Sequence, residues 1–237
     1  MTISTTKIFL AAAVAAIVTT GAGQAATLTG AFSVTAVNVT NLDSAQSQAT
    51  RANFDAALDK ANGGTSGFGG MDSVATADSF GYVGPLDFET SNGSATTITD
   101  WLLTGAGASA LSGLDGAFGG LTQSKSNINN GSATTTFYLF EADFSVPAGD
   151  FTVRHDDGIA VFEDGGLLGA RVGPTSVKTT MVPGFGGGEF EILYVATNND
   201  PSILEVDVAP IPLPAAAWML ISAVAGMGFL ARKRRAA

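Results

Sequence analysis

Along the interior of this chain, apolar and polar side chains alternate in short runs. In residues 27–40, Leu28, Phe32, Val34, Ala36 and Val37 recur with polar partners. Successive side chains of a strand point to opposite faces, so this period predicts one or two strands. The same pattern returns through Phe140, Ala142, Phe144 and Val146, and again in residues 151–154, 159–162, 189–197 and 203–208. In the last of these, Glu205 and Asp207 fall between Leu204, Val206 and Val208 and should face water. A turn is expected at Pro147-Ala148-Gly149-Asp150 from its composition. A helical period is expected once, from Ala45 to about Lys60. Asp43 or Ser44 could cap it, Phe54 and Leu58 stand four apart, and Asn62-Gly63-Gly64 would end it. Residues 65–130 are rich in Gly and Ser, with apolar islands around Phe80, Leu86 and Trp101 that define no element.

Short strands separated by Gly, Pro and Asn predict an all-β fold, a β-sandwich with one short helix. No repeat of 20–50 residues is visible, which argues against a solenoid or propeller.

The ends have a different character. Lys7 precedes an apolar run over residues 8–18, then small and polar residues through Ala26. That order reads as a secretory signal over residues 1–26, cut just before Thr27. At the other end, residues 215–231 are apolar and Arg232-Lys233-Arg234-Arg235 follow. About 17 residues at about 1.5 Å each cover about 25 Å, near the lower limit for a membrane-crossing helix. Trp218 would lie at the outer boundary, and the four cations would stay inside as the stop. The expected layout is a signal at 1–26, a sandwich ectodomain at 27–208 and a membrane-directed tail at 209–237.

Charge sharpens this division. The chain has 11 basic and 21 acidic residues. Without Lys7 and the four terminal cations, 6 basic residues face all 21 acids, a body near −15. Such a body repels nucleic acid and anionic lipid heads and suits cations and neutral polymers. With no cysteine, disulfides and thiolate metal sites are excluded.

Ile211-Pro212-Leu213-Pro214-Ala215, then Ala216-Ala217-Trp218, an apolar helix and an Arg-rich tip, resembles the VPLPA-type C-terminal sorting signal of PEP-CTERM proteins. The resemblance covers residues 210–235, with Ile211 in place of Val. It implies an exosortase, an intramembrane processing enzyme of Gram-negative bacteria, as a partner, and an envelope or surface location. Two prolines keep the stretch extended, as a protease needs, but they would also simply stop a helix.

Residues 134–208 carry a second resemblance. Pro147-Ala148-Gly149-Asp150, an aromatic strand, His155-Asp156-Asp157-Gly158, an apolar strand and Asp164-Gly165 are similar to the central hairpin of the protective-antigen and flocculin family of β-sandwiches. In the sugar-binding branch, adjacent aspartates hold Ca²⁺, usually across a cis peptide bond, and the ion grips sugar hydroxyls. The resemblance therefore implies Asp156 and Asp157 as ligands, with Asn198, Asn199 and Asp200 in the region of a second ligand loop. Ca²⁺ takes six to eight hard oxygens, and neighbouring carboxylates supply both charge and count. Read without the resemblance, Asp-Asp-Gly is equally a turn in which Gly158 takes positive φ.

Catalytic patterns are sparse. His155 is the sole histidine and is expected at an exposed strand end. Gly184-Phe185-Gly186-Gly187-Gly188 lacks the lysine of a phosphate loop and reads as a flexible loop. The expectation is a non-enzymatic surface or matrix component associated with exopolysaccharide. The alternatives are a calcium-dependent carbohydrate-binding adhesin and, third, a glycan hydrolase.

Overall fold

The computed structural model describes residues 25–90, 96–106, 110–125 and 133–210. Their strands form two antiparallel sheets. The first runs β1 (Ala26–Thr27), β12 (Ile203–Pro210), β7 (Gly149–Asp156) and β10 (Lys178–Phe185), with β4 (Asp87–Glu89) also on β12. The second runs β5 (Leu111–Ser112), β3 (Ala75–Pro85), β2 (Thr29–Leu42), β6 (Ala133–Ala142), β11 (Phe190–Ala196), β8 (Gly158–Glu163) and β9 (Gly166–Arg171). The fold is a β-sandwich, as the alternation predicts.

The two sheets bury their faces differently. On the first, Phe151, Val153, Leu204 and Val206 point into the sandwich, while Thr152, Arg154, Glu205 and Asp207 point outward. Arg154 there meets Glu89 at 3.0 and 3.1 Å and Glu205 at 3.4 Å. The second sheet is covered on both faces. Tyr138, Phe140, Ile192 and Tyr194 join the core between the sheets, and Phe137, Leu139, Leu193 and Val195 pack with Phe54 and Ala57 of helix α1 (Arg51–Ala61). A strand buried on both faces has no polar side to show, so residues 137–140 of β6 and 192–196 of β11 read as unbroken apolar runs. Arg51 closes this outer layer by pairing with Glu191 and lying 4.7 Å above the Phe162 ring.

Helix α1 starts six residues later than expected. Asp43 accepts from the amides of Ala45 and Gln46 at 2.9 and 2.8 Å, which closes a turn. Thr50 is the cap, taking the Asn53 amide at 3.2 Å. The other end is as expected, with Asn62 as cap and Gly63 at φ +80°.

Two further helices correct the expectation of one: α2 (Ile98–Ala106) and α3 (Gly116–Gly119), the latter capped by Asp115. Ile98, Trp101 and Leu102 of α2 are fully buried, at the i, i+3, i+4 spacing of a helical face. Trp101 stacks on Tyr194 at 5.3 Å and lies 4.5 Å from Phe88, so α2 is fastened to both sheets.

Thr27 lies inside β1 and Val208 inside β12, which continues to Pro210. Among the described residues no helix is long and apolar enough to cross a membrane. Nearly all of the signal segment, the sorting motif Ile211, Pro212, Leu213, Pro214 and Ala215, and the anchor residues Trp218, Arg232, Lys233, Arg234 and Arg235 lie outside the described residues.

Candidate functional site

Three connections cross from one sheet to the other at the same end of the sandwich. Asp157 links β7 to β8, residues 172–177 link β9 to β10, and residues 197–202 link β11 to β12. Pairing in the flanking strands sets them side by side: Gly158 opposes Val195, Asp156 opposes Ile203 and His155 opposes Lys178. The three enclose an open pocket of about 360 Å³ lined by Asp156, Asp157, Thr175, Asn198, Asn199 and Asp200 among others. All five residues implied as cation ligands by the second resemblance therefore lie at one pocket.

His155 departs from expectation. The inward series Phe151, Val153 continues to His155, which is fully buried rather than exposed. Its Nδ1 faces the backbone oxygen of Asp157, which can only accept, so Nδ1 carries the hydrogen and Nε2 accepts from the Thr180 hydroxyl at 2.8 Å. Burial holds its pKa below the ordinary histidine value despite the hydrogen bond that Nδ1 donates to the Asp157 carbonyl. A neutral imidazole with both nitrogens engaged fixes the β7 end and does not reach the pocket.

The Asp156–Asp157 peptide bond is cis. The Tyr194 hydroxyl donates to the Asp156 carbonyl. The Asp157 carboxylate takes the Thr175 amide on Oδ1 at 3.0 Å and the Thr197 amide on Oδ2 at 2.9 Å, one from each of the other two crossovers. The Asn198 side chain bonds to it as well. Burial pushes both carboxyls above the usual aspartate range, and the charge of Asp156 pushes Asp157 further. Among the described residues neither is ion-paired to Lys or Arg.

Gly158 is not the positive-φ turn glycine of the simple-turn reading. Its small size is needed instead for close approach, since a Cβ there would collide with the Val172 carbonyl.

In the 197–202 crossover, Asn198 and Asn199 lie at φ +64° and +71°, a region Asn tolerates better than most residues, and Asp200–Pro201 is cis. The Asp200 carboxylate is turned to hydroxyls, taking Thr90 Oγ1 at 2.8 Å and Thr96 Oγ1 at 3.0 Å. The Asn199 amide donates to Ser124 Oγ at 2.8 Å. Thr175, Thr197, Thr90 and Ser124 all act on this end of the molecule and none stood out in the sequence, while Trp101 stood out only as part of an apolar island.

The proposed flexible glycine loop is also different in fact. Gly184 and Phe185 belong to β10, and the Gly186 and Gly188 amides donate to Glu163 at 2.7 and 3.1 Å.

The donor set fits a hard cation. Two adjacent carboxylates, an Asn amide oxygen and backbone carbonyls are oxygen ligands of the Ca²⁺ kind. Borderline metals favour histidine or thiolate; the only histidine is engaged elsewhere and cysteine is absent. Among the described residues, no three His, Cys, Asp or Glu side chains form a metal cluster. A resident ion would therefore need neutral oxygens beside the aspartates.

No family model matches this chain and no curated protein matches it. Among solved structures it is similar to a PA14 sugar-binding domain from an RTX adhesin, at 15% identity and TM-score 0.45, over 76% of this chain and 89% of that one. It is similar to the PA14 domain of an antifreeze protein, at 16% identity and TM-score 0.42, over 77% and 82% of the two chains. It is also similar to a GH31 α-xylosidase from Xanthomonas citri, at 12% identity and TM-score 0.31, over 81% of this chain but 16% of that one.

Proposed function

We propose that this chain is an exported, non-enzymatic surface protein whose sandwich binds carbohydrate through a Ca²⁺ ion held by Asp156 and Asp157. The observation that carries the reading is the convergence at an open pocket of two buried acidic side chains, neither paired with Lys or Arg among the described residues, and the Asn198 side chain. Two desolvated acids side by side are costly unless a cation offsets them. Asp156, Asp157 and Asn198 would hold the ion, with Asn199 supplying backbone or side-chain oxygen. The ion would then supply open coordination positions for vicinal sugar hydroxyls. Lys and Arg are absent from the pocket lining, which favours neutral over acidic sugars.

Export and display belong to the same proposal. The apolar run after Lys7 would carry the chain across the inner membrane. The motif Ile211-Pro212-Leu213-Pro214-Ala215, with the apolar tail and its four cations, would deliver it to an exosortase and the envelope surface, where exopolysaccharide is the available polymer.

A second reading has one observation in its favour. Both Asp157 oxygens already accept backbone amides, as a purely structural crossover would require. The protein would then be a matrix component with no metal.

Titration calorimetry with CaCl₂ separates the two. Binding with Kd of about 10⁻⁴–10⁻³ M, the range of extracellular calcium modules, and its loss in Asp157→Asn are expected. Absence of both heat and a Tm shift at millimolar CaCl₂ would leave the structural reading. Chelator-reversible retention on a neutral polysaccharide column then tests the sugar. For sorting, Pro212→Ala with Pro214→Ala should block processing of the tail, and an unchanged processed form would remove the exosortase from the account.

A further inference from the structure

We infer that Thr90, Thr96 and Asp200 form a clasp that sets where the 197–202 crossover stands relative to Asp156 and Asp157, and that they act as positioning residues for the cation site. The inference rests on the calcium reading above.

By sequence Asp200 is one of three candidates in the region of the second ligand loop. Its geometry assigns it other work: each oxygen accepts from a hydroxyl, Thr90 at 2.8 Å and Thr96 at 3.0 Å. Thr90 is nearly buried, at 8% exposure, and its hydroxyl has two tasks. It donates to Asp200 and accepts from the Ser202 amide at 2.8 Å. The Thr90 amide in turn donates to the Ser202 carbonyl at 3.2 Å, and the Trp101 indole donates to the same oxygen at 3.1 Å. The crossover is therefore held at Asp200 and Ser202 by residues that follow β4 and by the first turn of α2. Asn198, whose side chain reaches Asp157, lies two residues before Asp200.

Calcium–oxygen distances span only about 2.3–2.6 Å. An arm free to drift by an ångström could not hold a ligand oxygen in place, whatever its sequence. Residues outside a coordination sphere that orient its ligands commonly change metal affinity by about 10–100-fold. Here that role falls to residues of the 65–130 stretch, in which the sequence defines no element.

The test uses the full chain in mild detergent, with terbium as a luminescent substitute for calcium and CaCl₂ as competitor. Thr90→Val and Thr96→Val should each weaken CaCl₂ binding by about 10–100-fold. They should also shorten the terbium luminescence lifetime, as extra water reaches the ion, and speed amide exchange in residues 197–202 of the metal-free protein. Thr90→Ser should restore all three. Thr96→Val keeps the test usable if Thr90→Val fails to fold. Variants that bind within twofold of wild type, with an unchanged lifetime, overturn the clasp and leave the calcium reading standing. A wild-type protein that binds neither ion overturns both, and this outcome is recognised before any variant is made.

Discussion

Strand β8 begins at the glycine of one Asp-Gly and is followed by another, and the two have opposite fates. At its far end, Asp164 and Gly165 lie at φ +50° and +74°, both left-handed, and connect Glu163 to Gly166, which pair across the hairpin. This is a two-residue turn between neighbouring strands of one sheet, with an exposed Asp bonded to the Glu189 amide at 2.8 Å. At its near end, Asp157 and Gly158 carry the chain from one sheet to the other. There Asp157 is 2% exposed and ties three crossovers together. The dipeptide does not decide between these outcomes. What decides is whether the flanking strands pair with each other: β8 and β9 do, whereas β7 and β8 belong to different sheets.

Substitutions at matched positions test the comparison. The largest effect is expected at Asp157→Ala, which leaves the buried Thr197 amide and the half-buried Thr175 amide without acceptors. It should cost about 2–4 kcal/mol in chemical denaturation and abolish any calcium-dependent stabilisation, whereas Asp164→Ala should cost under about 1 kcal/mol and leave that stabilisation intact. Equal losses would erase the distinction. Gly158→Ala should follow, at about 1–3 kcal/mol, because its methyl group meets the Val172 carbonyl. Gly165→Ala should cost about 1–2 kcal/mol through its positive φ alone. A crystal structure of each would show a shifted 172–177 crossover only for Gly158→Ala.

Acidity gives a gentler test at the pocket end alone. Both pocket carboxyls have folded-state pKa values raised above the unfolded value of about 4. Without cation, their contribution to stability is therefore present below about pH 4 and is lost as pH rises through the raised values. Cation binding needs the deprotonated forms, so calcium affinity should fall by more than about tenfold between pH 7.5 and 5.5, read as a shrinking calcium-induced Tm shift. A shift independent of pH would mean that these carboxyls are not the ligands. The smallest effect is expected at Arg154→Met on the open outer face. It breaks exposed pairs with Glu89 and Glu205 and should cost under about 1 kcal/mol by thermal melting.

Much of the sandwich was legible because burying one face of a strand imposes alternation, as in Leu204, Val206 and Val208. The strands that escaped notice had no such imprint. β9 has no buried residue, and β10 buries only Val182 and Phe185, so these edge strands read as polar or glycine-rich loop. Helix α2 is nine residues long, and its signature is confined to Ile98, Trp101 and Leu102. At the site, Asp156 and Asp157 could be named from their neighbours in the chain. The inward place of His155 runs against the expected exposed strand end, although it is the next step after Phe151 and Val153 in the alternation. The different duties of Asn198 and Asp200 were not legible, because they depend on two left-handed residues and on hydroxyls more than 100 positions away.

Strand β12 starts next to the pocket loop and ends seven residues later at Pro210, about 23 Å away along the strand. It is laced to β7 along its full length on one side and to β1 and β4 on the other. A pull between a captured ligand and anything anchored beyond Pro210 would run parallel to this strand. Its cross-links would then be loaded together in shear, not opened one at a time like a zip, and the domain would behave as a stiff link under tension.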